Sequence, residues 1–315
     1  MSNMVVRTNM LALNSHRNLG MVSTQQARAS ARLSSGFRIN SAADDAAGLG
    51  ISENMRAQIR GLDQASRNAQ DAISLVQTAE GGMSTVNDMI IRIRELTVQA
   101  ANDINTNIDQ ATAAGDATGA NRLRIQEEVT QLIEEIGRTS QTLQFNTMTL
   151  LDGSITTPIG FQVGANSGQL IQIMLPNIQA VAVALGSIVG VALSTGGPNG
   201  TVSPLGPGAA AIAAGSIATG TATSITTMID QINTQLSVAT AARGALGAVQ
   251  NRLEFTIQNL DVASENLSAS NSRIRDADMA AEMMRLTQAN VLQQAATAML
   301  AQGNQAPQSI LQLLG

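Results

Sequence analysis

The longest hydrophobic pattern in the chain runs from residue 225 to residue 274. Apolar and small side chains recur there at alternating steps of three and four residues, which is the heptad spacing of a coiled coil. At about 1.5 Å per residue, the pattern predicts a helix of roughly 75 Å. The positions of this heptad seam are Ile225, Met228, Ile232, Gln235, Ala239, Ala242, Leu246, Val249, Leu253, Thr256, Leu260, Ala263, Leu267, Ser270 and Ile274.

Two further parts of the chain carry matching patterns. Apolar residues follow the same spacing over 55–76, and a second phase continues over 79–97. A run over 125–143 predicts a third helix, and the polar, Gly-containing stretch 103–121 predicts the loop before it. Three long helices with matching seams predict a mainly α fold. The expected architecture is a long antiparallel, coiled-coil-like helical bundle made from both chain ends.

The middle of the chain has a different periodicity. Apolar residues alternate on both sides of a Gly-Ala-Asn-Ser-Gly turn within 161–175, which predicts a β-hairpin. The following region, 177–224, is rich in Ala, Gly, Ser and Thr. Its apolar run IQAVAVALGSIVGVALS is short for a membrane span, contains Gln and Ser, and has no flanking Arg. We therefore expect a small central subdomain or hairpin there, and no membrane association.

Both ends of the chain carry shorter and narrower apolar patterns. The stretch SSGFRINSAADDAAGLGIS follows the N-terminal pattern, and its Gly48 and Gly50 predict a jointed linker, with the pair Asp44–Asp45 capping the next helix. Neither end buries enough surface to stand alone. We expect the ends to pair and their remaining apolar side chains to be covered by other copies of the chain. The residues expected at that contact are Val6, Met10, Leu13, Ile310, Leu311, Leu313 and Leu314.

Composition narrows the possible chemistry. The chain has no Cys and its basic residues are all Arg, which excludes disulfides, thiolate metal sites, cysteine nucleophiles and lysine Schiff bases. A formal net charge of −5 without a basic block argues against nucleic acid as a partner. Aromatic residues make up only 1% of the chain, which suits thin helix-on-helix packing. The opening residues MSNMVVRTNM carry no secretory signal pattern, so we expect any export to follow a route that needs none.

Several long motifs follow one another along the chain: LSSGFRINSAADDAAGLGIS, IRIRELTVQAAND, FQVGAN, GAVQNRLE, ASENLSASNSRIRDADMA and NQAPQSILQLLG. Together, and in this order, they resemble bacterial flagellin, the subunit of the flagellar filament. The resemblance covers about residues 4–176 and 225–315. It implies a secreted, extracellular structural protein that self-assembles into a helical propeller filament, catalyses no reaction and carries no cofactor or metal.

The resemblance also implies partners and a domain organisation. The partners are other copies of the chain, an export chaperone, the flagellar type III export apparatus, and the filament cap and hook-junction proteins. The domains would be an inner-tube helix at 1–40, a linker at 41–52, rod helices and hairpin at 53–176, an outward-facing variable region at 177–224, a long rod helix at 225–274 and a second inner-tube helix at 275–315.

Two surfaces carry sharper expectations. By motif, Arg92, Leu96 and Glu128 match the flagellin surface that the innate immune receptor TLR5 binds. The alternative interpretation is that Arg92 lies on a solvated helix face and forms only local ion pairs. The hairpin turn, with Gly164 and Gly168, is the expected switch between the subunit packings that give the filament its supercoil.

Two alternatives to the main filament subunit stay open. One is the hook–filament junction protein, which shares flagellin-like ends. The other is a secreted coiled-coil adhesin or effector. Whether the purified protein forms long filaments separates these alternatives.

Overall fold

The computed structural model describes residues 9–102, 120–190, 193–194, 203–204, 217 and 222–314. The described chain contains six helices: α1 (Met10–Ser35), α2 (Ala46–Ala100), α3 (Ala120–Thr142), α4 (Ile178–Val189), α5 (Ala222–Arg275) and α6 (Met279–Leu314). Its short strands are β1 (Gln144–Phe145), β2 (Met148–Thr149), β3 (Ile159–Gln162), β4 (Leu170–Ile173), β5 (Leu193–Ser194) and β6 (Ser203–Pro204). The predicted mainly α fold is confirmed. Val6 and most of the predicted loop 103–121 lie outside the described residues.

The chain divides into two structural units. Unit 1 consists of Met1–Gly61 and Val262–Gly315, and unit 2 of Leu62–Asp261. In unit 2, α2 and α5 lie antiparallel, because Ser66 Oγ lies 3.3 Å from Asp261 Oδ1 and an Arg243–Glu80 ion pair of 3.2 Å joins positions further along both helices.

The heptad seam of α5 is the side of that helix that faces its neighbours. Every seam position is buried or partly buried, and Ile232, Leu246 and Leu253 are within 2% of complete burial. On α2, the predicted seam members Val76, Val86 and those between them belong to the same hydrophobic core. The periodicity therefore identified the packed side of each long helix, as expected when helices bury one stripe against each other.

The β-hairpin predicted within 161–175 is present in unit 2. β3 and β4 pair antiparallel, with Phe161 opposite Ile171, and Ile171 and Ile173 are buried. The side-chain amide of Asn68 donates to the Gln162 carbonyl at 3.0 Å and so ties the hairpin to α2.

The structure of residues 178–189 differs from the outward-facing region predicted for 177–224. They form α4, which the Asn177 side chain caps by accepting a hydrogen bond from Ala180 N. Its apolar side, including Leu185 and Val189, is buried in the core of unit 2 and does not form an outward-facing region. Gln126 of α3 holds the end of α4 by donating to the Val189 carbonyl at 3.1 Å. No helix among the described residues is long and apolar enough to span a bilayer.

The predicted linker is also shorter than expected. Gly36 ends α1 in a left-handed conformation, with φ of 74°, and α2 already begins at Ala46. Gly48 and Gly50 therefore lie inside a helix, and neither has a positive φ. A Cβ on Gly48 would lie 2.8 Å from Ile39 Cδ1, so close packing explains this glycine and a flexible joint does not.

Candidate functional site

The two terminal helices pair within unit 1. Asn9 Nδ2 donates to the Gly303 carbonyl at 2.7 Å, and Gln26 Nε2 donates to Asn290 Oδ1 at 2.7 Å. These contacts place α1 and α6 antiparallel. Ala29 and Ala289 are each 4% exposed, so small side chains let the two helices approach closely. The expected pairing of the chain ends is therefore seen in the structure.

One charged residue is buried in this helix pair. The Glu282 carboxylate lies 3.5 Å from an Arg32 nitrogen of α1 and 2.9 Å from an Arg285 nitrogen of its own helix. Only 6% of its side chain is exposed. Because an unpaired buried carboxylate is strongly unfavourable, these two arginines are what makes its burial tolerable. The contact also fixes the register of α1 against α6.

The helix pair leaves a large apolar surface uncovered. Nine large apolar side chains of α1 and α6 are between 44% and 68% exposed. Glu282 and Ala289, which face α1, are seven residues apart, as are the exposed Met284 and Val291, so the two pairs occupy two different sides of α6. We call the nine residues the terminal apolar surface: Met10, Leu13, Met21, Met279, Met283, Met284, Val291, Leu292 and Met299.

This surface includes two of the residues that the sequence predicts at the contact between copies. Met10 and Leu13 are exposed. The backbone of α6 is helical through Leu314, but the structure describes no side chains beyond residue 305, so Ile310, Leu311, Leu313 and Leu314 stay predictions. The other seven members, six on α6 and Met21 on α1, were not predicted to lie at this contact. The sequence of α6 does indicate them, because its apolar residues are spaced so that they fall on more than one side of the helix.

A cluster of contacts joins the two breaks between helices in unit 1. Phe37 pairs with Asp276 in a β-bridge, and Arg38 N donates to the Arg275 carbonyl at 2.6 Å. The Arg275 guanidinium lies 4.5 Å from the centre of the Phe37 ring and 2.8 Å from Glu53 Oε1. Hydrogen bonds from Arg56 and then Arg275 hold the pKa of Glu53 below its ordinary value. We call Phe37, Glu53 and Arg275 the junction clasp.

The two aspartates before α2 have local roles. Asp45 Oδ1 accepts from Gly48 N at 2.9 Å, which is the geometry of a helix cap. Asp44 Oδ2 accepts from the backbone nitrogens of Ser41 and Asn40, at 3.1 and 3.2 Å, and from the Ser41 hydroxyl. These hydrogen bonds, led by that from Ser41 N, lower the pKa of Asp44, and Arg32 adds to the effect.

The predicted receptor patch is only partly assembled. Arg92 Nη2 lies 3.0 Å from Glu128 Oε1 on α3 and Arg92 Nη1 lies 3.3 Å from Glu95 Oε2, and the hydrogen bond to Glu128 is the main reason that the pKa of Arg92 is raised. Leu96, however, is 2% exposed and belongs to the core. A protein bound to this face cannot contact its side chain, so the expectation for Leu96 is corrected.

The hairpin turn constrains both of its glycines. Gly168 has a φ of 85°, which a residue with a Cβ adopts only with strain. A Cβ on Gly164 would lie 2.7 Å from Gln169 Cβ. Gln169 Oε1 accepts from Asn166 N at 3.0 Å, so moving Gln169 would disrupt the turn.

No cluster of His, Cys, Asp or Glu that could hold a metal ion occurs among the described residues.

The paired long helices, the hairpin and the terminal apolar surface define a mainly helical protein whose end helices are covered on one side only. Family models for the bacterial flagellin N-terminal helical region and the bacterial flagellin C-terminal helical region match residues 6–156 and 226–314. The chain belongs to the bacterial flagellin family. This confirms the resemblance found in the sequence motifs.

Individual relatives match the chain from end to end. A flagellin of Halalkalibacterium halodurans is 48% identical over 311 residues, which cover 99% of this chain and 100% of that protein. A flagellar filament 31.3 kDa core protein of Treponema maltophilum is 41% identical over 320 residues, which cover 99% of this chain and 100% of that protein.

Among solved structures, the chain is similar to the crystal structure of Bacillus cereus flagellin. The match covers 62% of this chain and 88% of the Bacillus cereus chain at 21% identity, with a TM-score of 0.41.

Proposed function

We propose that this chain is the structural subunit of a flagellar filament, in which copies self-assemble into a helical polymer that works as a propeller for swimming. The observation that carries the proposal is the terminal apolar surface. A helix that is apolar on more than one side is normally buried on more than one side. α1 and α6 cover only one side of each other, so other copies of the chain are the natural cover for the rest.

The size of this surface matches the requirement for assembly. Full burial of one Met, Leu or Val side chain contributes about 1.5–3 kcal/mol, so a side chain already half covered gains about half of that. Nine such residues together contribute on the order of 10 kcal/mol. Association itself costs about 4–15 kcal/mol in lost freedom of motion. Because the two quantities are similar, we expect assembly to need most of the surface and to fail when a few charges are placed in it.

The contact must also be of a kind that repeats. A contact between two different patches of identical chains, which does not close into a ring, generates a helix of unlimited length. We place the terminal apolar surface, which includes Met10 and Leu13, at such a contact. The other residues predicted to take part in it are Val6, Ile310, Leu311, Leu313 and Leu314.

The test is a pair of charge substitutions on α6. We expect the double variant Met284→Asp with Val291→Asp to stay monomeric in sedimentation and to form no filaments in electron micrographs. Its helical circular dichroism should match that of the unmodified chain, because both side chains point away from α1. Filaments of normal length from this variant would contradict the assigned surface.

The matched control keeps the same positions apolar. Met284→Leu with Val291→Ile changes shape but not polarity, and we expect it to assemble. If the unmodified chain forms no filaments at any concentration, with or without filament seeds, the function itself is wrong. A secreted coiled-coil adhesin or effector would then be the better hypothesis, and assembly that stops after a few copies would favour the hook–filament junction protein.

The finer features follow from family membership. Flagellins are structural proteins, and we propose that this chain likewise catalyses no reaction. Its export through the flagellar type III apparatus with a dedicated chaperone, its contacts with the cap and hook-junction proteins, and its extracellular location belong to the same proposal. In the same proposal, the ends at 1–40 and 275–315 would form the inner tube of the filament, and 53–176 with 225–274 would form its rod.

Recognition by TLR5 is proposed for a smaller patch than the motif implied. Arg92 and Glu128 are exposed and paired across two helices, which supports a role for both in receptor contact. Leu96 supports that surface from within the core. We expect Arg92→Ala and Glu128→Ala to lower signalling by the soluble monomer without changing its melting temperature. Full signalling by both variants would count against this patch.

A further inference from the structure

Methionines are concentrated on the terminal apolar surface. Of the methionine side chains that the structure describes, seven are exposed, and six of these lie on α1 or α6. All four methionines of α6 are among them. By contrast, Met83 and Met228 in unit 2 are 0% and 4% exposed. All but one of the exposed methionines that the structure describes are therefore on the surface that the proposed filament contact has to bury.

Two of these methionines form part of a shallow groove on α6. Met283 and Met284 line it together with Val291 and Leu292. Met299 lies seven residues after Leu292, so it extends the same side of the helix. Leu would fill such a surface equally well, but Leu cannot be oxidised under mild conditions, whereas the thioether of Met is readily converted to a sulfoxide.

We propose that Met279, Met283, Met284 and Met299 are modification sites, at which oxidation to methionine sulfoxide by a peroxide prevents the subunit from assembling. This inference rests on the proposed filament function. It adds a redox control to the same surface. A monomer that is oxidised by peroxide before assembly cannot join the filament, whereas an assembled subunit resists oxidation because its methionines are covered by other copies.

The reaction is a two-electron oxygen transfer. The sulfur lone pair attacks one oxygen of hydrogen peroxide, the O–O bond breaks and an S–O bond forms. The departing hydroxide takes up the proton of the transferred oxygen and leaves as water. Sulfur is oxidised, the peroxide is reduced, and no other reactant is required. A methionine sulfoxide reductase reverses the change.

The effect on assembly follows from polarity. A sulfoxide carries a strong hydrogen-bond acceptor where the thioether was apolar. Covering that oxygen in an apolar contact without a donor is unfavourable. We expect the critical concentration for assembly to rise about tenfold or more, since one uncompensated polar group per contact is enough for that factor. The fold of the monomer should not change, because these side chains already face water.

The experiment uses the purified full chain with and without hydrogen peroxide. Peptide mass spectrometry measures sulfoxide at each methionine, and sedimentation with electron microscopy measures assembly. We expect the α6 methionines to be oxidised in the monomer, to be protected in preformed filaments, and to block assembly when oxidised. Treatment with methionine sulfoxide reductases, one for each sulfoxide epimer, should restore assembly.

Two variants act as controls. A variant with the six exposed methionines of α1 and α6, namely Met10, Met21, Met279, Met283, Met284 and Met299, all replaced by Leu should assemble equally well before and after peroxide. Met174→Leu, at the exposed methionine that the structure describes in unit 2, should give no protection. If the sixfold Leu variant fails to fold, recovery of the oxidised natural chain with reductase decides the question. Normal assembly of chains oxidised at Met284 and Met299 overturns the inference alone. Failure of the untreated chain to assemble overturns the proposed function, and this inference with it.

Discussion

The junction clasp allows a sharp test of how unit 1 is held together. Arg275 contributes a guanidinium 4.5 Å from the Phe37 ring centre, and its carbonyl accepts from Arg38 N. Nearby, Ala277 N donates to the Gly36 carbonyl at 2.9 Å. Replacing Arg275 by Ala removes the stacked cation but keeps the backbone groups. The side chain therefore stabilises a ladder whose hydrogen bonds can be monitored separately.

The expected size of the effect comes from the burial of the clasp. A cation over an aromatic ring is worth about 0.5–1 kcal/mol when exposed and about 2 kcal/mol when desolvated. Only 14% of the Arg275 side chain is exposed, which favours the upper half of that range. The partner Glu53 is half exposed, so its ion pair is screened by water and adds little. We therefore expect a loss of about 1–2 kcal/mol, or an increase of about 5-fold to 30-fold in local opening.

Amide hydrogen exchange of the monomeric full chain measures this opening. In Arg275→Ala, the amides of Arg38 and Ala277 should exchange faster by that factor, while amides of α3 in unit 2 stay unchanged. Arg275→Lys keeps the charge but loses the planar stacking group, so it should give most of the same effect. A change of less than about twofold at Arg38 and Ala277 would refute the stacking argument. An equal change in α3 would refute its local nature.

Three further predictions follow. Leu96→Ala should lower the unfolding free energy by about 2–5 kcal/mol, measured by chemical denaturation, because it opens a cavity in the core; a loss below about 1 kcal/mol would restore Leu96 to the surface. Gly164→Ala and Gly168→Ala should straighten filaments or change their pitch in dark-field images, and unaltered waveforms would place the switch elsewhere. Because the pKa of Asp44 is lowered in the folded chain, its carboxylate stabilises the turn before α2 above its ordinary pKa and loses this effect as the pH falls through the folded pKa. In Asp44→Asn, amide hydrogen exchange of residues 38–44 should therefore depend less on pH in the acid range. An unchanged pH dependence would mean that another group causes it.

The sequence alone determined the long helices and their buried sides. Heptad spacing is itself a geometric statement, because residues three and four apart lie on one side of a helix. Leu246 and Leu253 were therefore identified as buried before any partner helix was known, and the structure agrees. The alternating pattern around Gly164 and Gly168 predicted the hairpin for the same reason, since strands place alternate residues on one face. Long motifs were enough to identify the family.

The spacing of apolar residues cannot specify where the neighbouring elements end, and only the tertiary structure decided this. Arg92 and Leu96 are only about 40° apart around α2, yet the edge of the packed core passes between them. Its position depends on α3, which also supplies Glu128, 36 positions away along the chain. Likewise, an apolar run at 178–189 fits several environments, and only its packing in the core of unit 2 selects one. Periodicity defines directions around a single helix, whereas burial depends on surfaces contributed by distant parts of the chain.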